Sequence, residues 1–564
     1  MTQSSALLSV TDLNVSFKGP QGLFQAVKNL SFTVKRQETL ALVGESGCGK
    51  STTALALLRL LAPNATLDGR IEFAGRDLLA LSPADLRKIR GREISMIFQE
   101  PMTSLNPVYT VGQQIMETLR LHEYLSAHAA RRRAIELLDL VRIPEPQRRI
   151  DDYPHNLSGG QRQRVMIAIA VACRPSLLIA DEPTTALDVT IQAQILELID
   201  GLRRELSMGV LLITHDLGVV AQWADRVAVM YDGEKVEEGQ TDVLFSRPSH
   251  PYTKGLMGAS LHGNAPRHYA DARLPEIRTT RGNPSDPPVF ELYTPPLASR
   301  SAAVGKHAPL LSVQSLYTDY QTRHGVVHAV DDVSFDIGVG ETVGLVGESG
   351  CGKSTLGKTL LRLLSPAGGR IVFDGIDVAP LKEKALKPWR RRVQMVFQDP
   401  YASLNPRRTV YDIMESVLIV HGLRSATERR RQIMAMLDRV GLPANSAKRY
   451  PNEFSGGQRQ RIGIARALIL KPALLICDEP VSALDVSVQA QILNLLVELK
   501  QDFKLSYLFI SHDLAVVRYI ADKVLVMNKG KIVESGSHAE VWHEPRHPYT
   551  RSLINAVAGS RQLT

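Results

Sequence analysis

The feature that most constrains this 564-residue chain is that it contains itself twice. The octapeptide Gly44-Glu45-Ser46-Gly47-Cys48-Gly49-Lys50-Ser51 returns 303 positions later as Gly347-Glu348-Ser349-Gly350-Cys351-Gly352-Lys353-Ser354. Leu157-Ser158-Gly159-Gly160-Gln161 returns as Phe454-Ser455-Gly456-Gly457-Gln458, and Asp181-Glu182-Pro183 as Asp478-Glu479-Pro480, now at an offset of 297. The drift implies small deletions in the second copy between these motifs. Repetition over so long a period sets the domain plan before any secondary structure is assigned. It predicts two modules, at 1–258 and 309–564, each of roughly 260 residues and so of domain size. Between residues 263 and 309 lie eight prolines and no sustained helical period. The stretch 259–308 therefore reads as an extended linker whose tether raises the effective concentration of one module around the other.

Within each module, short apolar runs (40–43, 177–180, 210–214 and 226–230 in the first) alternate with helical patterns. Continuous apolar runs suit strands buried on both faces of a largely parallel sheet, so the fold class is α/β. From 112 to 149 the strand signals vanish, and Ile115, Leu119, Ile135, Leu138 and Val141 follow a helical spacing. An inserted helical subdomain is expected there, with its counterpart at 410–442.

Composition narrows the class further. The net charge of +9 fits an anionic partner surface, membrane headgroups or nucleic acid, without choosing between them. The clusters Arg131 to Arg133, Arg390 to Arg392 and Arg429 to Arg431 read as solvated faces. Four widely spaced cysteines without a CxxC pair indicate neither a zinc site nor a disulfide framework, and imply a reducing compartment. Met1 to Leu8 has no basic-then-apolar pattern, and no apolar run is long enough for a membrane span. The chain is expected to be neither secreted nor membrane-spanning, and to act at a membrane only through other subunits.

The repeated motifs carry phosphate chemistry. G-x-x-x-x-G-K-[ST] stands after a short apolar strand and before a helix (52–61; 355–364), which is the context the pattern requires. The glycines let the loop wrap phosphates with its N–H groups, Lys50 and Lys353 reach the β- and γ-phosphates, and Ser51 and Ser354 join an Mg²⁺ shell. The runs 177–180 and 474–477 deliver Asp181 and Asp478 to the carboxyl edge of the sheet, where each can hold Mg²⁺; Glu182 and Glu479, one residue on, can orient or deprotonate water. His215 and His512, and Gln99 and Gln398, also end apolar strands. Each Ser-Gly-Gly opens an apolar-periodic run, so its N–H groups can approach an anion. A capped helix start or a chance turn explains any one of these, but not two aligned sets.

This order of motifs resembles the nucleotide-binding cassette of ABC ATPases, whose signature reads LSGGQ. The resemblance implies two P-loop NTPase cassettes in tandem, each a RecA-like α/β core with a helical subdomain, using ATP and Mg²⁺. It implies that His215 and His512 contact the γ-phosphate, that Gln99 and Gln398 form Q-loops touching Mg²⁺, and that Thr52 and Thr355 complete the phosphate loops. Asp188 in Ala186-Leu187-Asp188 and Asp485 in Ala483-Leu484-Asp485 match the D-loop. Phe17 and Tyr320, nine residues before Ala26 and Ala329, match the aromatic that stacks on adenine. Cassettes of this family pair head to tail, so Lys50 would share a site with Ser455 and Gly457, and Lys353 with Ser158 and Gly160. Gly159, Gln161, Gly456 and Gln458 belong to the same signatures. With Glu182 and Glu479 both present, two hydrolytic sites are implied.

Narrower blocks, Gln99 to Pro107, Gln398 to Pro406, and His-Pro-Tyr-Thr at 250–253 and 547–550, resemble the ATPases of dipeptide, oligopeptide and nickel importers. The tandem layout and the block 179–195 add glutathione to the cargoes implied. The resemblance implies an energy-coupling ATPase on the cytoplasmic face of a bacterial inner membrane, bound to two permease subunits fed by an extracytoplasmic solute-binding protein. The alternative from another class is a soluble twin-cassette ABC factor acting on ribosomes; its linker is typically a charged helical hairpin, and the Pro-rich segment has no such period. No cysteine lies beyond Cys477 or between Cys173 and Cys351, so the iron–sulfur cluster of some relatives is not expected. Cys48 and Cys351 stand beside a lysine and a helix N-terminus, which should lower their thiol pKa and let alkylation block turnover.

Overall fold

A computed structural model of the chain describes residues 6–19, 22–100, 104–185, 187–261, 268–280, 286, 288–297, 308–322, 325–482 and 484–558. Pro101, Met102 and Thr103 of the block after Gln99, Ala186 and Ala483 of the two D-loop tripeptides, and much of the proline-rich segment lie outside the described residues. The chain divides into two compact units, one holding Met1–Met257 and the other Gly258–Ala558.

Each unit is built on a six-stranded sheet. In the first the order across the sheet is Ile94–Ile97, Leu177–Asp181, Gly209–Ile213, Thr39–Val43, Arg226–Tyr231 and Glu234–Gln240, with only the last strand antiparallel. The second repeats it with Val393–Val396, Leu474–Asp478, Ser506–Ser511, Thr342–Val346, Lys523–Asn528 and Lys531–Ser537. Thr39–Val43, Leu177–Asp181 and Gly209–Ile213 are buried at every position, as strands covered on both faces must be. The α/β class read from the sequence holds.

A second sheet, antiparallel, was not legible. In the first unit it runs Gly22–Val34, Leu8–Gly19, Ala65–Phe73 and Arg76–Asp77. Leu8, Val10, Leu13 and Val15 are its core-facing residues, but the register shifts between Val10 and Leu13, where Asp12 takes φ 50°. That bulge breaks the period-two signal.

The helical subdomain forms where the periodicity places it. Val111–His122 and Ala127–Leu140 are capped by Thr110 and Ser126 and bury Ile115, Leu119, Ala130, Leu137 and Leu138. Val410–Val420 and Ala426–Arg439 repeat them. The basic clusters are balanced locally: Arg131 pairs with Asp151, Arg392 with Asp374 and Arg429 with Glu415. The helices expected at 52–61 and 355–364 are shorter, Lys50–Leu57 and Lys353–Leu360, because Arg59 and Arg362 turn to φ 50° and 54°.

The described part of the proline-rich segment does not run free. Leu274 is fully buried in the second unit, its N–H donating to Asn494 Oδ1 at 3.2 Å while Asn494 Nδ2 donates back to its carbonyl at 2.8 Å. Tyr269 donates to Asp522 at 2.7 Å, and Glu276–Thr280 pairs with Val289–Tyr293 as a hairpin. Apolar and aromatic residues scattered among the prolines give this stretch something to bury. Among the described residues no helix is long and apolar enough to cross a membrane.

Candidate active site

The phosphate loops leave the central strands Thr39–Val43 and Thr342–Val346 and enter the helices that begin at Lys50 and Lys353. Gly49 has φ 98°, and a Cβ there would sit 2.5 Å from the Ala26 carbonyl oxygen; at Gly352, φ 108°, the distance to the Ala329 oxygen is 2.1 Å. Only glycine fits such a turn. Lys50 Nζ donates to the carbonyls of Gly44 at 2.7 Å and Glu45 at 2.9 Å, and Lys353 Nζ to those of Gly347 at 2.7 Å and Glu348 at 2.8 Å. Each ammonium is thereby held inside its own loop.

The neighbouring strands complete the constellation at the same carboxyl edge of the sheet. Ser51 Oγ donates to Asp181 Oδ1 at 3.0 Å and Ser354 Oγ to Asp478 Oδ1 at 2.9 Å. Gln99 Nε2 donates to Glu182 Oε2 at 2.8 Å, and His215 Nδ1 lies 3.1 Å from Glu182 Oε1. In the second unit Gln398 Nε2 donates to Glu479 Oε2 at 2.8 Å, with His512 Nδ1 3.2 Å from the same oxygen. Glu182 and Glu479 adopt φ 47° and 46°, a strained left-handed conformation of the kind that gathers at reacting centres. Thr185 adds a donor that the motifs did not reveal, its hydroxyl 2.8 Å from Glu182 Oε2; Ser482 at the equivalent place donates to the Glu479 carbonyl at 3.1 Å. The signal available was a hydroxyl three residues after each glutamate.

Burial works against ionisation of Glu182, yet the hydrogen bond and charge of His215, the Thr185 hydroxyl and Lys50 outweigh it and hold its pKa at about 2. Glu479 is lowered for the same kind of reason, through His512 and Lys353. Asp181 goes the other way: burial, with the charge of Glu182, pushes it up to about 6 against its bond to Ser51. Asp478 is likewise raised by burial. Burial lowers the His512 pKa, but Glu479 more than offsets that and leaves it raised.

Ser158 and Ser455 cap the helices Gly159–Val171 and Gly456–Leu468. Each serine hydroxyl accepts from the N–H of Gln161 or Gln458, at 3.3 and 3.4 Å, and each glutamine oxygen accepts from the serine N–H, at 3.0 and 3.1 Å. A Cβ on Gly160 would approach Ile191 Cγ2 to 2.8 Å, and one on Gly457 would approach Val488 Cγ1 to 2.3 Å. Among the described residues no hydrogen bond joins Ser158, Gly159, Gly160 or Gln161 to the constellation around Lys50. A link that the sequence reading missed is the buried Gln163, whose Nε2 donates to the Pro183 carbonyl beside Glu182 at 2.6 Å. Asp188 caps the helix Val189–Leu206 by accepting from the Ile191 N–H at 3.0 Å.

Tyr320 is 41% exposed and its hydroxyl lies 3.4 Å from Thr355 Oγ1, directly after the loop serine. Phe17 pairs across the sheet with Phe24 and Ala65 and packs partly onto the core. The expectation of a lowered thiol pKa is overturned at Cys351. Cys48 and Cys351 are buried beneath the loops, with the lysine nitrogens 3.8 and 3.9 Å from their sulfurs. For Cys351, desolvation exceeds the pull of Lys353 and raises the thiol pKa.

Comparison with known proteins places this geometry. The family model described as ABC transporter matches residues 27–185 and 330–482, and that described as oligopeptide/dipeptide transporter, C-terminal region, matches 236–288 and 533–562. The chain is 51% identical to the glutathione import ATP-binding protein GsiA of Escherichia coli O157:H7 over 98% of its own length and 89% of that protein's. It is 50% identical over the same shares to the GsiA of Escherichia coli strain K12. A solved dimer of a bacterial ABC transporter cassette is 30% identical and covers 40% of this chain and 98% of its own, with a TM-score of 0.38. The matched transporter C-terminal regions set aside the twin-cassette ribosome factor as an alternative. With both cassettes and both transporter C-terminal regions on one polypeptide, the chain belongs to the ABC transporter family, as an ATP-binding and ATP-hydrolysing subunit.

Proposed function

We propose that this chain energises the import of peptides, with glutathione the favoured cargo, by hydrolysing ATP at two sites. Its place is the cytoplasmic face of the inner membrane, beneath two permease subunits fed by an extracytoplasmic solute-binding protein. The observation that carries the reading is identity of about half over nearly the whole chain to glutathione import ATP-binding proteins.

In this reading the loop amides and Lys50 or Lys353 bind the β- and γ-phosphates, while Tyr320 and Phe17 lie against adenine. Magnesium would be held by Ser51, Asp181 and Gln99, and by Ser354, Asp478 and Gln398. The residues fit it: Asp181 is a desolvated carboxyl, 4% exposed and bonded to a hydroxyl, whose ionised form a cation would favour. When bound, the ion supplies neutralisation of charge across the phosphates. Glu182, ionised and fixed by Gln99, His215 and Thr185, accepts a hydrogen bond from the attacking water and then its proton. His215 and His512, poised on the glutamates, face the γ-phosphate. Head-to-tail pairing, which family membership supports, would bring Ser455 and Gly457 to Lys50, and Ser158 and Gly160 to Lys353.

Replacing Glu182 and Glu479 together by glutamine should lower ATP turnover by a factor of about 10²–10⁴, the usual contribution of a positioned base, while ATP binding persists. Retained turnover would remove the glutamates from the mechanism. Uptake of labelled glutathione and dipeptide, compared in cells with and without the gene, tests the cargo; transport of dipeptide alone would overturn glutathione and leave the ATPase reading standing.

A further inference from the structure

His547-Pro548-Tyr549-Thr550, repeated from His250-Pro251-Tyr252-Thr253, takes no part in the hydrolytic constellation, yet it is built with care. Glu534, on the strand Lys531–Ser537, accepts from the N–H of Arg546 at 2.8 Å and of His547 at 3.0 Å. His547 Nδ1 then accepts from the Tyr549 N–H at 3.1 Å. Successive backbone donors, all taken, fix the turn that enters the helix Pro548–Ala558 and so fix where the Tyr549 ring is carried. Its hydroxyl accepts from the N–H of Glu348 at 3.0 Å.

Glu348 is the second residue of the phosphate loop, and its carbonyl already accepts from Lys353 Nζ at 2.8 Å. One loop residue is thus tied at both its amide and its carbonyl, from the C-terminal segment on one side and from the loop lysine on the other. The first unit builds the same turn. Glu237 accepts from the N–H of Ser249 at 2.7 Å and of His250 at 3.1 Å, and His250 Nδ1 accepts from the Tyr252 N–H at 3.2 Å. Tyr252 is fully buried, its ring 4.7 Å from that of Tyr231 at the end of the strand Arg226–Tyr231.

We propose that Tyr549 is a positioning residue for the second phosphate loop, holding the Glu348 amide so that the loop keeps its nucleotide-receiving shape before ATP arrives. A loop with glycine at 347, 350 and 352 has much conformational freedom to lose on binding. An anchor from the folded body removes that freedom in advance, and apparent affinity scales with the fraction of loops already competent. The C-terminal segment thereby sets ATP affinity without touching ATP. The inference rests on Lys353 and its loop being the nucleotide cradle of the second site.

The test uses the full chain carrying Glu182→Gln, so that turnover reports the second site, with and without Tyr549→Phe, which keeps the ring and removes the acceptor. We expect the KM for ATP to rise about fivefold, the equivalent of one ordinary hydrogen bond, with kcat within about twofold. Amide hydrogen exchange across 347–354 should quicken in the nucleotide-free chain. Trp542→Phe, which disturbs the packing of Trp542 against Arg518 5.0 Å away, should lower stability and leave KM unchanged. An unchanged KM in Tyr549→Phe overturns the proposal whatever its melting temperature; the parental chain hydrolysing ATP with its own KM would, in that event, leave the reading of the site intact.

Discussion

Glu182 and Glu479 show how far a residue's chemistry is set by its donors. Of two adjacent carboxyls, Asp181 is buried and Glu182 partly so; one is pushed up to about 6 and the other held at about 2, because His215 and Thr185 bear on the second. In the proposed mechanism these opposed environments separate the group that would hold the cation from the one that would hold water. Cys351 gives the opposite lesson: the lysine beside its thiol counts for less than the water taken from it. Cys48 and Cys351 are only 4% and 7% exposed. N-ethylmaleimide at pH 8 should therefore modify them at least about tenfold more slowly than a free thiol, since neither sulfur is open to the reagent. Replacing both by serine should leave ATP turnover within about twofold. Rapid labelling by mass spectrometry would contradict that.

At the scale of elements, the second signature glycine has a packing role that its sequence context hides. Gly457 brings the helix Gly456–Leu468 so near Val486–Phe503 that an added methyl would meet Val488 Cγ1 at 2.3 Å. Gly457→Ala should cost about 1–3 kcal/mol through overpacking, with Val488→Ala restoring part of it in a thermal melt. The docked segment around His268 makes a second case. His268 stacks on His538 with ring centroids 4.2 Å apart and bonds to the Ala521 carbonyl, with Asp271, Arg518 and His543 lining the same cavity. Burial, then the charge of His538, lowers its pKa below the ordinary 6.5, and Asp522 and Asp271 only partly oppose this. A base lowered on folding favours the neutral form, so its contribution is present above the ordinary value and lost as pH falls through the folded one. Limited proteolysis at 268–276 should speed severalfold between pH 7.5 and 5.5, and His268→Gln should remove that dependence.

For the whole molecule, each unit owns a loop, carboxylate pair, glutamine and histidine, so the two proposed sites can be altered one at a time. The division of the chain matters to stability as well. A chain beginning at 309 discards Leu274 and Tyr269, whereas one beginning at 258 keeps them. Calorimetry should find 309–564 less stable than 258–564 by about 3 kcal/mol, the scale of losing one large buried side chain. The sequence by itself determined the tandem plan, the α/β class, the helical insertion and the motif residues that gather at the carboxyl edge of each sheet. Those features depend on spacing within one strand, loop and helix, where glycine, lysine and carboxylate must follow in fixed order. Only the tertiary structure decided what joins distant segments: Thr185 and Gln163 around Glu182, the bulged antiparallel sheet, the desolvated thiols, and the docking of Leu274 on Asn494, 220 residues away. It also decided the bond from Glu348 to Tyr549, across 201 residues. Such contacts depend on which side chains packing brings together, and packing is a property of the closed core rather than of any stretch of chain.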